Sequence, residues 1–138
     1  MYTHYWNGVW KPTNRVWSQL LGYADKIIIE SKVPIERLYK GDAQVPTIWF
    51  NGIDGDAHET FVLMRVVEEF NFCKTSRKPF DIVVTAILTV AASMGLDVSS
   101  DGDEEEWEPG VELARKVTGG GKRSMKAPAK VRESEEVS

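Results

Sequence analysis

From residue 82 to residue 94 the chain carries no charged side chain, and that stretch constrains the fold more than any other feature of the sequence. It lies inside KPFDIVVTAILTVAASMG, residues 78–95. Pro79 suits a first-turn position, because it has no N–H to lose there and its φ is already near the helical value, and Gly95 supplies the glycine that commonly follows a helix. After Asp81 the polar side chains are Thr85, Thr89 and Ser93, spaced four apart, so they form one narrow, slowly drifting stripe. The rest of the circumference is Leu, Ile, Val and Ala, with Ala86, Ala91 and Ala92 permitting close approach. This pattern predicts a helix over 78–95, laid against a sheet and enclosed by other elements. A membrane span needs about 20 apolar residues, whereas the uncharged run to Leu96 is shorter and holds three hydroxyls. The segment is therefore read as the central core helix.

With 138 residues, 42% of them hydrophobic, the chain has material for one domain with a real core. The domain is expected over 1–118, followed by a disordered Gly/Lys/Glu-rich tail over 119–138, whose apolar content is too low to offset its chain entropy. A lone cysteine, Cys73, excludes an internal disulfide framework and a multi-cysteine zinc site. MYTHYWNGVW lacks the basic and apolar regions of a secretory signal, which points to the cytoplasm. Charge is uneven. Residues 1–100 are nearly neutral, 101–118 are strongly acidic and 119–138 are basic. That distribution argues against nucleic-acid binding by the folded domain, which would need a basic face.

Along the chain, aromatic and β-branched residues flank Asn7-Gly8, which predicts a hairpin over 2–10. Thr13 can cap a short helix with Val16, Trp17, Leu20 and Leu21 on one face, ending before Gly22. KIIIE, residues 26–30, reads as a buried strand, and residues 34–39 as a helical turn. Residues 47–50 and 59–67 read as an antiparallel pair around the loop NGIDGDAHE. Phe70 and Phe72 alternate with Asn71 and Cys73 in a further strand, so that Cys73 points away from both rings. A strand over 96–99 precedes a last helix bearing Val111, Leu113, Ala114 and Val117, which ends at Gly119.

Three places carry candidate chemistry. At FCKTSRKPFD, residues Lys74, Thr75, Ser76, Arg77 and Lys78 gather where the core helix begins, and free N–H groups with side-chain cations there could hold a phosphate or carboxylate. The plainer account is a helix cap with solvated or paired cations. His58, Glu59 and Cys73 are possible neighbours of that site, although a buried, inert thiol is the favoured reading of Cys73. In IDGDAHE the acids begin like a calcium loop, but Glu59 stands where that loop needs glycine and Arg65 where it needs a carboxylate. A polar turn explains the segment, and the sequence implies no metal, no cofactor and no complete catalytic set. The third place is the acidic run of Asp101, Asp103, Glu104, Glu105, Glu106 and Glu108. Part of it would stabilise the start of the last helix; the whole could steer toward a basic partner surface. Among the N-terminal aromatics, Trp6 and Trp10 are core or a protein-binding patch.

The runs FNGIDGDAHETFVLMR, FCKTSRKPFDIVVTAILTVAASMG and VSSDGDEEEWEPG resemble a group of small tailed-bacteriophage proteins to which no activity is attached. The resemblance implies an accessory protein in an infected bacterial cytoplasm and carries over no catalytic residue. The reading is an α+β domain: a small antiparallel sheet packed against the central helix, a second C-terminal helix and a tail. Its expected role is a non-enzymatic interaction protein, a modulator or inhibitor of a host factor, whose partner is a host or phage protein and not a membrane. The alternative is a phosphate- or nucleotide-binding protein or small enzyme working at residues Lys74 to Lys78. Nothing in the sequence sets an oligomeric state.

Overall fold

The computed structural model of the chain describes residues 2–37 and 47–131. Its centre is the uncharged helix, α2 (Asp81–Ser93), in which every side chain from residue 83 to residue 91 is buried. A helix enclosed all round must satisfy its own hydroxyls. Thr85 donates to the Ile82 carbonyl (3.2 Å), Thr89 to the Thr85 carbonyl (2.8 Å) and Ser93 to the Val90 carbonyl (2.5 Å). The helix ends as expected, on Gly95 at φ 108°, with the Gly95 and Leu96 N–H groups returning to the Ala92 and Ala91 carbonyls. It begins three residues later than the sequence suggests, because residues 75–78 form a turn in which Ser76 and Arg77 take positive φ.

The first helix, α1 (Asn14–Ser31), starts on the predicted cap, with Thr13 Oγ1 accepting from Val16 N–H at 3.2 Å. It does not stop at Gly22. Trp17, Leu20, Leu21, Ala24 and Ile27 keep one buried face through the expected KIIIE strand, so helical spacing overrides the β-propensity of three isoleucines. Ile27 is buried while Ile29 stands 72% exposed, a pattern a buried strand would not give.

The expected N-terminal hairpin is also replaced. The first strand, β1 (Thr3–Asn7), is an inner strand, flanked antiparallel by β5 (Asn71–Lys74) and β6 (Asp97–Ser100). Gly8 does take φ 85°, but Pro12 follows too soon for a return strand, and Trp10 instead bridges to Val67. A two-residue strand, β7 (Ala129–Lys130), completes this sheet in the order β5-β1-β6-β7, parallel to β6. A second, antiparallel sheet has the order β2-β3-β4, from β2 (Ile35–Arg37), β3 (Thr47–Gly52) and β4 (Phe61–Met64). The β3–β4 pair is the one predicted. Residues 35–37 pair with β3 rather than coil, and residues 38 and 39 of the expected helical turn lie outside the described residues.

The α+β class holds, with two sheets in place of one and a third helix, α3 (Glu104–Thr118), beside α2. Asp103 caps α3 by accepting from Glu106 N–H (2.9 Å), and Gly119 ends it at φ 73°. Trp6, Trp17, Trp107, Phe50, Phe61 and Phe80 fill the space between helices and sheets. The chain does not leave the domain at residue 118. Met125 is buried and β7 pairs with β6; residues 132–138 of the expected tail lie outside the described residues. A short apolar anchor and an open strand edge suffice to hold a segment whose composition suggested disorder.

Among the described glycines the tightest site lies between α2 and α3, where a Cβ on Gly110 would lie 2.0 Å from Thr85 Oγ1. Gly110→Ala should therefore force the helices apart and destabilise the protein by about 2 kcal/mol. An unchanged urea midpoint would show that this contact can relax freely.

Candidate functional site

The first turn of α2 meets the ends of β1 and β6 and the start of α3, and there a chain of polar side chains is buried. His4 projects inward from β1 with no exposed surface, its ring edge-on to Tyr2 and to Trp107, each at 5.0 Å between centroids. Its Nε2 lies 2.6 Å from Asp81 Oδ1, and its Nδ1 lies 2.7 Å from Ser100 Oγ. A carboxylate only accepts, which assigns a hydrogen to Nε2, while Nδ1 and the Ser100 hydroxyl share the second bond. Thr75 donates to the same Asp81 oxygen at 2.5 Å, and Ser100 Oγ accepts from Gly102 N–H at 2.9 Å.

Serine, histidine and aspartate in series is the order of a hydrolytic relay. Here Ser100 and His4 are fully buried, and the serine oxygen already receives a backbone N–H. No substrate carbonyl can reach it. The relay's visible work is structural: it joins β1, α2 and β6 through groups that would otherwise be stranded away from water. The Trp107 indole N–H, buried in the same cluster, has no partner among the described residues.

The predicted anion site is built but occupied by its own chain. Asp81 places a carboxylate at the start of α2, where an anion would sit. Arg77 lies over the Tyr2 ring at 4.1 Å, and its Nε donates to Glu106 Oε2 at 2.7 Å. That bond, more than the neighbouring charges, holds the guanidinium above its usual range. Lys78 Nζ donates to the Gly55 carbonyl (3.1 Å), and Lys74 Nζ sits 5.5 Å from the Phe72 ring. Thr75 is buried on Asp81, and Ser76 N–H reaches the Tyr2 carbonyl. Arg77 and Lys78 do line a cleft of about 290 Å³, with Tyr2, Asp81, Thr85 and Glu106, but two carboxylates face its two cations and His58 is not among its walls.

His58 lies on the surface beyond β3, where its backbone N–H and carbonyl are both held by Asn51. Glu59 does meet Cys73. The thiol donates to the Glu59 carbonyl at 3.5 Å, and Glu59 Oε1 accepts from Lys74 N–H at 2.8 Å. Burial, with the Glu59 and Asp81 charges behind it, pushes the Cys73 thiol well above the usual range, so it is no nucleophile. Tyr2 is raised in the same direction by burial, then by Asp81 and Glu106. Among the described residues no group of three or more His, Cys, Asp or Glu side chains could hold a metal ion, and no helix is long and apolar enough to cross a membrane.

The acidic run divides in two. Asp101 accepts from Thr3 N–H and the Tyr5 hydroxyl, Asp103 caps α3, and Glu106 holds Arg77. Glu104, Glu105 and Glu108 remain exposed, and no cation among the described residues pairs with them. Trp6 and Trp10 are core residues, Trp6 against Phe61 and Trp10 donating to the Met94 carbonyl, so neither offers a binding face. The exposed aromatics are others. Phe70 (55% exposed) stacks on Tyr5 and adjoins Phe72 (45% exposed) on the outer face of the larger sheet. Their signal was the alternation with Cys73: once the cysteine is inside, both rings face out.

Compared with protein-family models, with curated proteins and with solved structures, the chain matches none of them.

Removing the His4 ring strands Asp81 and Ser100 together, so His4→Ala should cost about 3 kcal/mol. A His4→Ala/Asp81→Ala double variant should lose less than the two single costs added; strict additivity in denaturant would mean the bond couples nothing. The raised Cys73 and Tyr2 groups both favour the protonated form in the folded chain. The stability they carry is whole below the ordinary thiol range and is lost as pH rises through it toward the tyrosine range. Denaturant midpoints should fall between about pH 7.5 and about pH 10, less steeply in Cys73→Ala. A flat profile would remove the burial argument.

Proposed function

We propose that the protein is a non-enzymatic interaction module that takes a lysine- and arginine-rich segment of another protein. The observation that carries this reading is Tyr5, whose ring stacks on Phe70 and whose hydroxyl donates to Asp101 at 2.9 Å. Through it the exposed rings of Phe70 and Phe72 and the acidic segment that leads into α3 become one surface. Aromatic faces and carboxylates share one preference, for a cation. An ammonium or guanidinium over an exposed ring gains about 0.5–1 kcal/mol, and carboxylates at the first turns of α3 supply attraction that is felt at longer range and screened by salt.

In the setting implied by the likeness to phage accessory proteins, the basic partner is a host factor. The anion-binding alternative is weaker on physical grounds, since Glu106 already takes Arg77 and Asp81 already stands at the positive end of α2 that an incoming phosphate would need.

A fluorescent lysine/arginine-rich peptide tests the reading by anisotropy. Glu104→Gln/Glu105→Gln/Glu108→Gln should weaken binding about tenfold at low salt, as expected for three exposed pairs. Phe70→Ser/Phe72→Ser should weaken it in a part that added salt does not remove. A peptide that binds the carboxylate-depleted protein as tightly as the native one, or binds neither, overturns the proposal.

A further inference from the structure

The segment after α3 is joined to the body by three consecutive glycines, Gly119, Gly120 and Gly121, and beyond them Met125, Ala129 and Lys130 make contacts with the body. Met125 is buried to 6% exposure, and Arg115 on α3 donates to its carbonyl from two nitrogens, at 3.0 and 2.8 Å. Further along, Ala129 and Lys130 lie beside Ser99 and Ser100 of β6, and Val131 N–H donates to the Ser100 carbonyl at 2.8 Å. The turn that presents Met125 is internal to the segment, closed by Met125 N–H on the Gly121 carbonyl. The segment is thus a preformed arm with its own anchor, Met125 packing on Gly120 of the hinge and seated in a socket whose other walls lie on the body side.

We propose that this arm is exchanged between two copies of the chain, each placing its Met125 and β7 in the socket of the other. A socket shaped for this arm fits the identical arm of a second copy with the same contacts, so exchange changes only the hinge and the entropy of association. Glycine accepts either hinge conformation at little cost. Charge acts in the same sense. Lys122, Arg123, Lys126 and Lys130 make the arm cationic, while the body has an excess of acids, concentrated in residues 101–108 beside the end of β6. An empty socket would also leave β6 as a bare sheet edge, which disfavours a state with the arm merely free. The inference stands on the arm and socket and does not depend on the surface proposed above.

Two variants with damage on opposite sides test it. Met125→Asp spoils the arm and keeps the socket; Arg115→Ala spoils the socket and keeps the arm. Each alone should be mainly monomeric by light scattering, with the arm cut by trypsin at least about tenfold faster than in the native protein, because the seated state is weakened. Mixed together, they should form a one-to-one dimer, since one native arm then meets one native socket. A mixture that stays as monomeric as its components overturns the proposal. Deleting Gly120 and Gly121 from the otherwise native chain provides the second measurement. The arm should no longer reach its own socket, and the protein should stay dimeric, like the native chain, with the arm still resistant to trypsin. A monomer with a resistant arm would show that the segment serves its own chain only.

Discussion

The hydrogen bond between His4 and Asp81 joins the inner strand of the larger sheet to the first turn of the one helix that the rest of the fold encloses. Its importance follows from what α2 lacks. The helix carries no charge beyond Asp81, and its cap residue, Phe80, offers no side-chain acceptor. Asp81 is therefore the one charged side chain on α2 able to balance the helix's positive end, and it sits only partly in reach of water. Thr75 and His4 supply its partners, and His4 is in turn held by Ser100, whose oxygen takes the Gly102 N–H just before α3 starts. Three elements, β1, α2 and β6, are thus registered by a single line of hydrogen bonds that ends in the turn before α3, while the apolar core around them is less specific about direction.

That line decides what chemistry remains outside. Basic residues crowd the start of α2, yet Asp81 fills the place of an anion there and Glu106 takes Arg77, while Lys78 reaches the Gly55 carbonyl. The acidic run suffers the same division: Asp101, Asp103 and Glu106 are internal fittings, and Glu104, Glu105 and Glu108 face solvent. A cluster that looks functional in one dimension is here half structural: three of its six carboxylates serve the fold and three face solvent.

How much of this was legible depends on the range of the interaction. α2, the Thr13 cap, the Gly95 and Gly119 stops and the β3–β4 pair rest on contacts within a turn or a short loop, and the residues spell them out. The partners of β1 do not: Tyr5 sits between Phe72 and Ser99, and nothing local to residues 2–10 announces either. KIIIE misled because propensity favoured a strand while the spacing from Trp17 to Ile27 continued a helix. The placement of Trp6 and Trp10 in the core, and of Phe70 and Phe72 outside it, follows from which face of β1 and β5 turns toward α2. Only Cys73 gave a hint, by alternating with the phenylalanines.

The two edges of the larger sheet are finished by different devices, and the difference bears on how the molecule can associate. At the β5 edge, Glu59 donates its N–H to the Lys74 carbonyl and accepts the Lys74 N–H on its own carboxylate, so a side chain stands in for a strand. That closure is local to the fold and brings a charge, both of which oppose edge-to-edge pairing. At the β6 edge the cover is a two-residue parallel strand on a glycine tether, held through Met125 and Arg115. Nothing in its bonds requires the tether to come from the same chain. Association through the β5 edge would have to break the Glu59 contacts first, whereas association through β6 only replaces one arm by another. The outer face between these edges keeps its exposed rings in either case, so a partner bound there and a second copy joined by its arm need not compete.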